Sequence, residues 1–317
     1  MSGYTLGIDL GGTKIMTVVV SPEGRVAGEA RLDTLAHEGP DAVIARLLQS
    51  AEQAVAQAGL RMADLEAIGV CAPGPLDVTT GVVLSPPNLP GWIDIPLRAR
   101  LAQALGRPVY LDNDANAAAL AEWRLGAGRG TRDMIYLTVS TGIGGGAIVD
   151  GRLQHGKMGA AAEFGHVILE PDGPRCNCGN RGCLEALASG TAIARAYAER
   201  AARRAAGGNE AFAAKTVTAR DVFARQAEGD PLAAEVIASA VRYLAIGIAN
   251  FVHIYNPERV VVGGGVASAG DALFTPLREQ VRSYVFPHLR DSFTIEPAAL
   301  GTHVGALGAA LLGLAAG

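Results

Sequence analysis

Aromatic residues are scarce in this 317-residue chain, at 5% of the sequence. Hydrophobic residues nevertheless make up 49% of it. The core is therefore predicted to consist mostly of aliphatic side chains and alanine. A chain of this length is typical of two domains.

The chain also lacks a basic tract, and its formal net charge is −4. This balance argues against a nucleic acid or an anionic membrane as a partner. The first residues, MSGYTLGIDLGG, lack the charged start and apolar segment of a signal peptide. Charged and polar residues such as Glu235 and Arg242 interrupt the most apolar long stretch, residues 231–255, which argues against a membrane span. We therefore expect a cytoplasmic protein.

Cysteine is also rare: there are four, and three of them fall in CNCGNRGCLEA, residues 176–186. The fourth, Cys71, lies far upstream in an apolar run, so a simple pairing into disulfides is not indicated. In a reducing compartment, clustered cysteines favour a metal site or catalysis. The nearby EFGH supplies His166 as a fourth metal ligand. The alternative is a flexible loop of free thiols.

Short β-rich runs joined by glycine-rich turns open the chain, and a similar pattern returns about 130 residues later in MIYLTVSTGIGGGAIVDGRL. Two such strand–glycine–strand units predict a duplicated domain. Apolar spacing predicts helices after Gly39, after LDND, and over residues 231–255, where Asp230 is a predicted N-cap. Residues 204–216 are predicted to form a flexible loop.

Three glycine-rich turns follow apolar strands: Gly11–Gly12, Gly142 to Gly146, and Gly263 to Gly265. Glycine allows backbone N–H groups to approach a phosphate closely. The run GIGGG resembles neither a dinucleotide fingerprint nor a Walker loop. Each turn taken alone could equally be a tight hairpin.

The segment LDNDAN places two aspartates where a predicted strand meets a predicted helix. Such residues commonly cap the helix that follows. Phosphoryl transfer to an alcohol also needs a carboxylate that accepts the hydroxyl proton. Capping and catalysis are both compatible with this turn.

Taken together, DLGGTK, LDNDANAAALAE, TVSTGIGGGAIVDGRLQHG, EFGH and CNCGNRGCLE resemble the ROK family of sugar kinases and sugar-responsive repressors, nearly end to end. The resemblance implies an α/β, two-domain actin-like ATPase (ribonuclease H-like) fold with an interdomain active-site cleft. We expect residues 1–113 plus 303–317 to form a smaller domain and residues 114–302 a larger one that carries the zinc loop. The implied reaction is transfer of the ATP γ-phosphate to the 6-hydroxyl of glucose.

The resemblance also implies roles for individual residues. Asp114 is the expected base, and the expected sugar-binding residues are Asn88, Asn113, Asp114, Glu163, His166 and Glu185. Asp9 would lie at the Mg²⁺–phosphate end of ATP. The residues expected to hold ATP and its phosphates are Asp9, Gly11, Gly12, Thr13, Lys14, Thr141, Gly142, Gly144, Gly263, Gly264 and Gly265. A structural Zn²⁺ is predicted on His166, Cys176, Cys178 and Cys183, because three thiolates and one imidazole complete a tetrahedral site.

This sequence departs from the family pattern at Ala162, where a glycine is usual. If that position requires a positive φ, alanine would cost on the order of 1 kcal/mol.

The alternative functions are a kinase for N-acetylmannosamine, fructose, mannose or allose, and a sugar-sensing repressor. A repressor would be preceded by a DNA-binding helix-turn-helix, whereas here Met1 leads almost directly into the first strand. A zinc-stabilised binding module without catalysis is a third class. A homo-oligomer, dimer or tetramer, is expected, and polyphosphate is the alternative to ATP as donor.

Overall fold

The computed structural model describes residues 3–206 and 217–315. The strands are β1 (Tyr4–Leu10), β2 (Lys14–Val20), β3 (Val26–Asp33), β4 (Leu65–Ala72), β5 (Leu76–Asp77), β6 (Val82–Val83), β7 (Val109–Asn113), β8 (Met134–Val139), β9 (Ile143–Val149), β10 (Arg152–Leu153), β11 (Arg259–Gly263) and β12 (Thr294–Pro297). The α-helices are α1 (Pro40–Gln57), α2 (Leu97–Leu105), α3 (Asp114–Arg124), α4 (Leu184–Ala188), α5 (Gly190–Ala206), α6 (Ala219–Ala227), α7 (Pro231–Tyr255), α8 (Asp271–Tyr284) and α9 (Val304–Ala315). Residues 204–206 of the predicted flexible loop form the end of α5. The rest of that loop, residues 207–216, lies outside the described residues.

Two five-stranded sheets repeat one topology. The first has the order β3-β2-β1-β4-β7 and the second β10-β9-β8-β11-β12. In each sheet, three antiparallel strands joined by short turns are followed by two parallel strands. Parallel neighbours need long crossover connections, and helices supply them here. The predicted duplication is confirmed in this repeated strand order.

Local sequence signals account for several helices. In α1, Val43, Leu47, Ala51 and Ala54 recur at helical spacing and are buried against the first sheet. Helix α7 begins where predicted, because the Asp230 side chain accepts hydrogen bonds from two backbone N–H groups of its first turn. It ends at Tyr255, and the next residue, Asn256, has a left-handed backbone conformation that terminates the helix.

Within the described part of the chain, α7 is the one helix long and apolar enough to cross a membrane by length and mean hydropathy. However, 61% of its apolar window is buried inside the protein. There it packs against α4, α5, α6 and α8 in the core beside the second sheet. Its apolar character is therefore that of a core helix, which also explains why its polar residues are tolerated on the outer side.

Helices α3 and α9 pack closely against each other between the two sheets. Helix α3 also contacts β8 and β9, whereas α9 contacts β1 and β4. The helices approach so closely that a Cβ on Gly308 would lie 1.8 Å from the carbonyl oxygen of Ala117. This helix pair joins the two halves of the molecule, and the predicted domain boundary after residue 113 falls where β7 passes into α3.

Candidate active site and metal centre

Three consecutive polar residues, Asp112, Asn113 and Asp114, stand at the junction of β7 and α3. Asn113 is the N-cap of α3, and its side chain accepts a hydrogen bond from the Ala115 N–H at 2.8 Å. Asp112 is almost fully buried, and its Oδ1 accepts from the Asn113 N–H and from the Asn116 side chain. Asp114 Oδ1 also accepts the Ala115 N–H at 2.8 Å, and the Asp114 side chain lines the cleft between the two sheets.

The Asp114 carboxylate is reachable from the open cleft but is poorly hydrated, because protein atoms surround it on most sides. This desolvation raises the pKa of Asp114 to about 6, and the charges of Asp9 and Glu163 act in the same direction. A carboxylate with such a pKa can accept a proton near neutral pH.

A cavity of about 690 Å³ lies over Asp114 and is lined from both halves of the molecule. It brings together predicted residues that are far apart in the sequence: Asp9, Gly11, Lys14, Asp114, Gly263, Gly264 and Gly265. Desolvation raises the pKa of Asp9, while a hydrogen bond from Cys71 and the charge of Lys14 oppose the increase. This end of the cleft combines a carboxylate, a lysine and glycine backbone, which suits a phosphate group and a divalent cation.

A second cavity of about 520 Å³ adjoins the first and shares Ser140 and Gly265 with it. Its remaining walls come from the start of α5 and from the segment before and within α6, and they include Thr141 and Arg220. Two cavities that share a wall can hold one elongated ligand.

The structure places the other predicted phosphate-binding residues away from the lining of the 690 Å³ cavity. A Cβ on Gly142 would lie 2.3 Å from Glu185 Oε2, and one on Gly144 would lie 3.2 Å from both Ala115 Cβ and Thr138 Cγ2. Gly142 therefore makes room for the carboxylate of Glu185, whose Oε2 accepts a hydrogen bond from the Ile143 N–H at 2.9 Å. The glycine run therefore meets the steric requirements of the tight hairpin between β8 and β9.

Gly12 and Thr13 lie in the β1–β2 turn. Thr13 is exposed, and a Cβ on Gly12 would lie 2.9 Å from the Cβ of Asn88. The turn that follows Asp9 thus packs against the predicted sugar loop.

The predicted sugar-binding residues Glu163 and His166 face each other, with Glu163 Oε2 and His166 Nε2 separated by 4.0 Å. Ala162, directly before Glu163, is buried and has a φ of 62°. Alanine therefore occupies a left-handed backbone conformation at a position where the family usually has glycine, at a cost on the order of 1 kcal/mol relative to an ordinary backbone conformation. The strain sits next to a predicted binding residue.

The predicted zinc ligands converge. The ligand atoms of His166, Cys176, Cys178 and Cys183 all lie within 4.8 Å of one another. His166 Nδ1 lies 3.6 Å from Cys176 Sγ, and Cys178 Sγ lies 3.6 Å from Cys183 Sγ. These separations are close to the edge of a tetrahedron with Zn–S bonds of about 2.3 Å. The donor set and its spacing therefore fit a tetrahedral Zn²⁺. His166 would bind the ion through Nδ1, and its Nε2 lies on the side of Glu163.

Sequence reasoning missed several residues that line the cleft, among them Thr138, Ser140, Thr302 and Gly305. Gly305 lies against the predicted cation ligand, since a Cβ there would be 2.5 Å from Asp9 Oδ2. The TVST of residues 138–141 offered a signal as a run of hydroxyls after a strand. Thr302 and Gly305 offered none, because they approach the site only through the packing of α9.

A model of the ROK family matches residues 5–316. The chain is 40% identical over 315 residues to the glucokinase of Thermotoga maritima, covering 96% of this chain and 95% of that protein. It is also 36% identical to the N-acetylmannosamine kinase of Salmonella typhi, covering 97% of each. A xylose repressor of Bacillus subtilis is 29% identical, with 97% of this chain and 76% of the repressor covered.

Among solved structures, the ROK hexokinase from Thermus thermophilus has a TM-score of 0.85 and 43% identity, covering 98% of this chain and 97% of that one. A ROK glucokinase from Streptomyces griseus in complex with glucose and AMPPNP has a TM-score of 0.80 and 35% identity, covering 97% and 98%.

The fold and the cleft thus define a two-domain α/β phosphotransferase architecture, the actin-like ATPase fold. The chain belongs to the ROK family, and its relatives support a sugar-kinase function.

Proposed function

We propose that the protein is an ATP-dependent glucokinase that transfers the γ-phosphate of ATP to the 6-hydroxyl of glucose. The observation that carries this proposal is the position of Asp114 on the floor of a cleft that it shares with Asp9, Lys14 and three glycines of β11 and the turn after it. The ROK glucokinase from Streptomyces griseus, solved in complex with glucose and AMPPNP, supports the same pair of substrates.

In the proposed reaction, Asp114 accepts the proton of the sugar hydroxyl while that oxygen attacks the γ-phosphorus. The bond from the γ-phosphorus to the oxygen that bridges it to the β-phosphate breaks, and ADP leaves. Gly11, Gly12, Thr13 and Lys14 would bind the phosphates on one side of the cleft and Gly263 to Gly265 on the other. Thr141, Gly142 and Gly144 keep their predicted nucleotide role, with Thr141 at the adjoining cavity. Asp9 is suited to hold Mg²⁺, which neutralises phosphate charge when bound.

Glucose would be bound by Asn88, Asn113, Asp114, Glu163, His166 and Glu185. Their amides, carboxylates and imidazole supply the mixture of donors and acceptors that vicinal sugar hydroxyls require. Glu185 already accepts the Ile143 N–H through Oε2, and its Oε1 lies 3.7 Å from Cys176 Sγ. The sugar-binding and metal-binding groups are thus in direct contact.

We further propose that His166, Cys176, Cys178 and Cys183 hold one structural Zn²⁺. The close approach of the four ligand atoms supports this proposal. When bound, the ion would fix the imidazole of His166 and, through Cys183, the start of α4, which carries Glu185. The four thiols, none of them in a disulfide, also agree with a cytoplasmic location.

The same residues suit a kinase for another hexose, and the N-acetylmannosamine kinase relative makes that sugar the strongest alternative. We keep residues 1–113 plus 303–317 as the proposed smaller domain and residues 114–302 as the larger. We also propose that the protein forms a homodimer or a homotetramer and that it binds neither nucleic acid nor a membrane.

The test is ADP release measured across glucose, N-acetylmannosamine, mannose, fructose and allose, with ATP and polyphosphate as donors. We expect the highest kcat/KM with glucose and ATP. A higher kcat/KM for another hexose would replace glucose in the proposal. No turnover with any sugar, together with intact sugar binding, would instead support a sugar-sensing protein like the repressor relative.

A further inference from the structure

A third cavity, of about 840 Å³, lies on the opposite face of α3 from the cleft. Asp114, Ala115 and Ala118 line the cleft, whereas Leu120, Trp123 and Arg124 line this cavity. At 3.6 residues per turn, the two sets point in opposite directions. We call this space the rear cavity, and none of the predicted substrate-binding residues lines it.

The rear cavity is rich in positive charge. Arg98, Arg124, Arg152 and Lys157 line it, and none of them forms an ion pair with a carboxylate in the part of the chain that the structure describes. The one carboxylate among its described lining residues, Asp112, is already bonded to His155. Uncompensated cations around a concave surface attract anions.

Two of these cations are held in place before any ligand binds. The guanidinium of Arg98 donates to the carbonyl oxygens of Val78 and Thr79 at 3.3 and 2.9 Å. Arg124 stacks over the Trp123 ring at 4.0 Å. Pre-positioned guanidinium groups lose little conformational entropy when they bind an oxyanion.

His155 adds a fifth group suited to an anion. Its Nε2 lies 2.6 Å from Asp112 Oδ2, and this hydrogen bond raises the pKa of the imidazole. The side chain is 40% exposed, and among described residues its Nδ1 has no hydrogen-bond partner. A protonated His155 could therefore donate from Nδ1 to a bound anion.

We propose that the rear cavity binds a small phosphate-bearing anion, either inorganic phosphate or a sugar phosphate, and that this binding changes the affinity of the cleft for its sugar. A phosphate group fits because its oxygens can accept hydrogen bonds from guanidinium, ammonium and imidazole groups at once. The volume exceeds what phosphate alone requires and leaves room for a sugar.

The route to the cleft is short. Asp112 joins His155 on one side to the Asn113 N–H and Asn116 on the other, and Asp114 is the next residue but one. The cavity walls also come from both halves of the molecule: Val78 and Arg98 from one, Arg152 and Lys157 from the other. A ligand that contacts both halves would bind the open and the closed conformation of the cleft with different affinities. Coupling between the rear cavity and the cleft requires such a difference in affinity.

The test is calorimetric titration with inorganic phosphate and with glucose 6-phosphate, first alone and then with glucose and AMPPNP saturating the cleft. The variants are Arg152→Ala/Lys157→Ala, and Arg129→Ala as a matched control, because Arg129 is exposed and outside the cavity. We expect binding to persist with the cleft filled and to weaken by roughly tenfold or more in the double variant alone, since two charge-assisted contacts are removed. The two probes distinguish free phosphate from a sugar phosphate.

Loss of all binding when the cleft is filled, or equal binding by the double variant and the wild type, would overturn the site. The sugar KM, measured with and without the bound probe, tests the coupling, and an unchanged KM would overturn that half of the proposal. This second arm rests on the proposed kinase function, whereas the titrations do not, so the two failures can be told apart. Unfolding temperatures of the variants verify that both remain folded.

Discussion

Three neighbouring residues, Asp112, Asn113 and Asp114, show how strongly surroundings decide what a side chain does. Asp112 is buried and bonded to His155, and Asn113 caps α3. Only Asp114 faces the cleft, beside Asp9. The structure therefore gives the two aspartates different roles. Asp112 positions the groups bonded to it, and Asp114 is the candidate base.

Replacing Asp114 with asparagine tests the base directly. The amide has the same size as the carboxylate but cannot accept the proton, so turnover should fall on the order of 10²-fold or more, the lower range for general-base catalysis. Sugar binding should remain, because the amide still forms hydrogen bonds. The measurements are steady-state kcat and a calorimetric sugar titration, with Asp172→Asn, an exposed aspartate outside the cleft, as control. Activity close to wild type in Asp114→Asn would remove Asp114 from the mechanism.

The raised pKa of Asp114 makes a separate prediction about pH. Because the base acts in its ionised form, kcat/KM should decrease as the pH falls through about 6. In the folded protein this pKa is above the ordinary value of 3.8, so ionising Asp114 destabilises the fold as the pH rises from about 4 to about 6. Asp114→Asn should therefore be more stable than the wild type at pH 7, and this advantage should vanish near pH 4. Chemical denaturation at both pH values measures it, and equal stability at pH 7 would contradict the shift.

At the scale of elements, the loop from His166 to Cys183 lacks regular structure over much of its length, yet it carries four candidate ligands and ends at α4. Two glycines with positive φ, Gly179 and Gly182, allow the chain to turn back on itself between the cysteines. Gly182 is especially constrained, since a Cβ there would lie 1.5 Å from the Glu170 carbonyl oxygen. Backbone hydrogen bonds such as Cys176 N–H to Asn180 O and Gly182 N–H to Pro174 O already hold parts of this loop, and a metal ion would add a covalent-strength link between its two ends.

Cys178→Ser should remove the metal and sharply raise the sugar KM, while the KM for ATP changes much less. The reason is that the loop positions Glu185 and His166 but does not line the phosphate end of the cleft. Elemental analysis should give about one zinc per wild-type chain and none in the variant. Asn177→Ser, an exposed change in the same loop, serves as control and should keep the metal. Active wild-type protein without zinc would rule out the structural site.

At the scale of the whole molecule, the cleft lies between two sheets that are joined through α3 and α9. Glu122 strengthens this junction: it is fully buried and accepts hydrogen bonds from the N–H groups of Ala127, Ala299 and Leu300. The phosphate-binding candidates come from both sheets, with Gly11 on one side and Gly263 on the other. Both sets would have to converge on one nucleotide, and an approach of the two halves would bring them closer to it.

We therefore expect sugar binding to close the cleft, which would also exclude water as a competing phosphoryl acceptor. Small-angle scattering should give a smaller radius of gyration at saturating glucose than without sugar. A hexose that the activity panel shows to be inert provides the control and should leave the radius unchanged. An identical scattering profile with and without glucose would contradict closure.

Local features were predictable because their causes are local. The N-cap of α7, the strand-to-helix passage at Asp114 and the glycine turns follow from residues within one or two turns of each other. The metal cluster was predictable for the same reason, since its ligands lie within 18 consecutive residues. The positive φ of Ala162 followed only from the family resemblance, because no local pattern distinguishes this alanine from its neighbours.

The sequence by itself thus determined the elements, their duplication and the candidate ligands. Only the tertiary structure decided which of them meet. Asp9, Asp114, Gly263 and Thr302 come together because two sheets pack against one pair of helices, and that packing depends on the summed burial of many apolar side chains rather than on any motif. The same packing turned Gly142 towards Glu185 and gathered four cationic side chains behind α3, neither of which any stretch of sequence encodes locally.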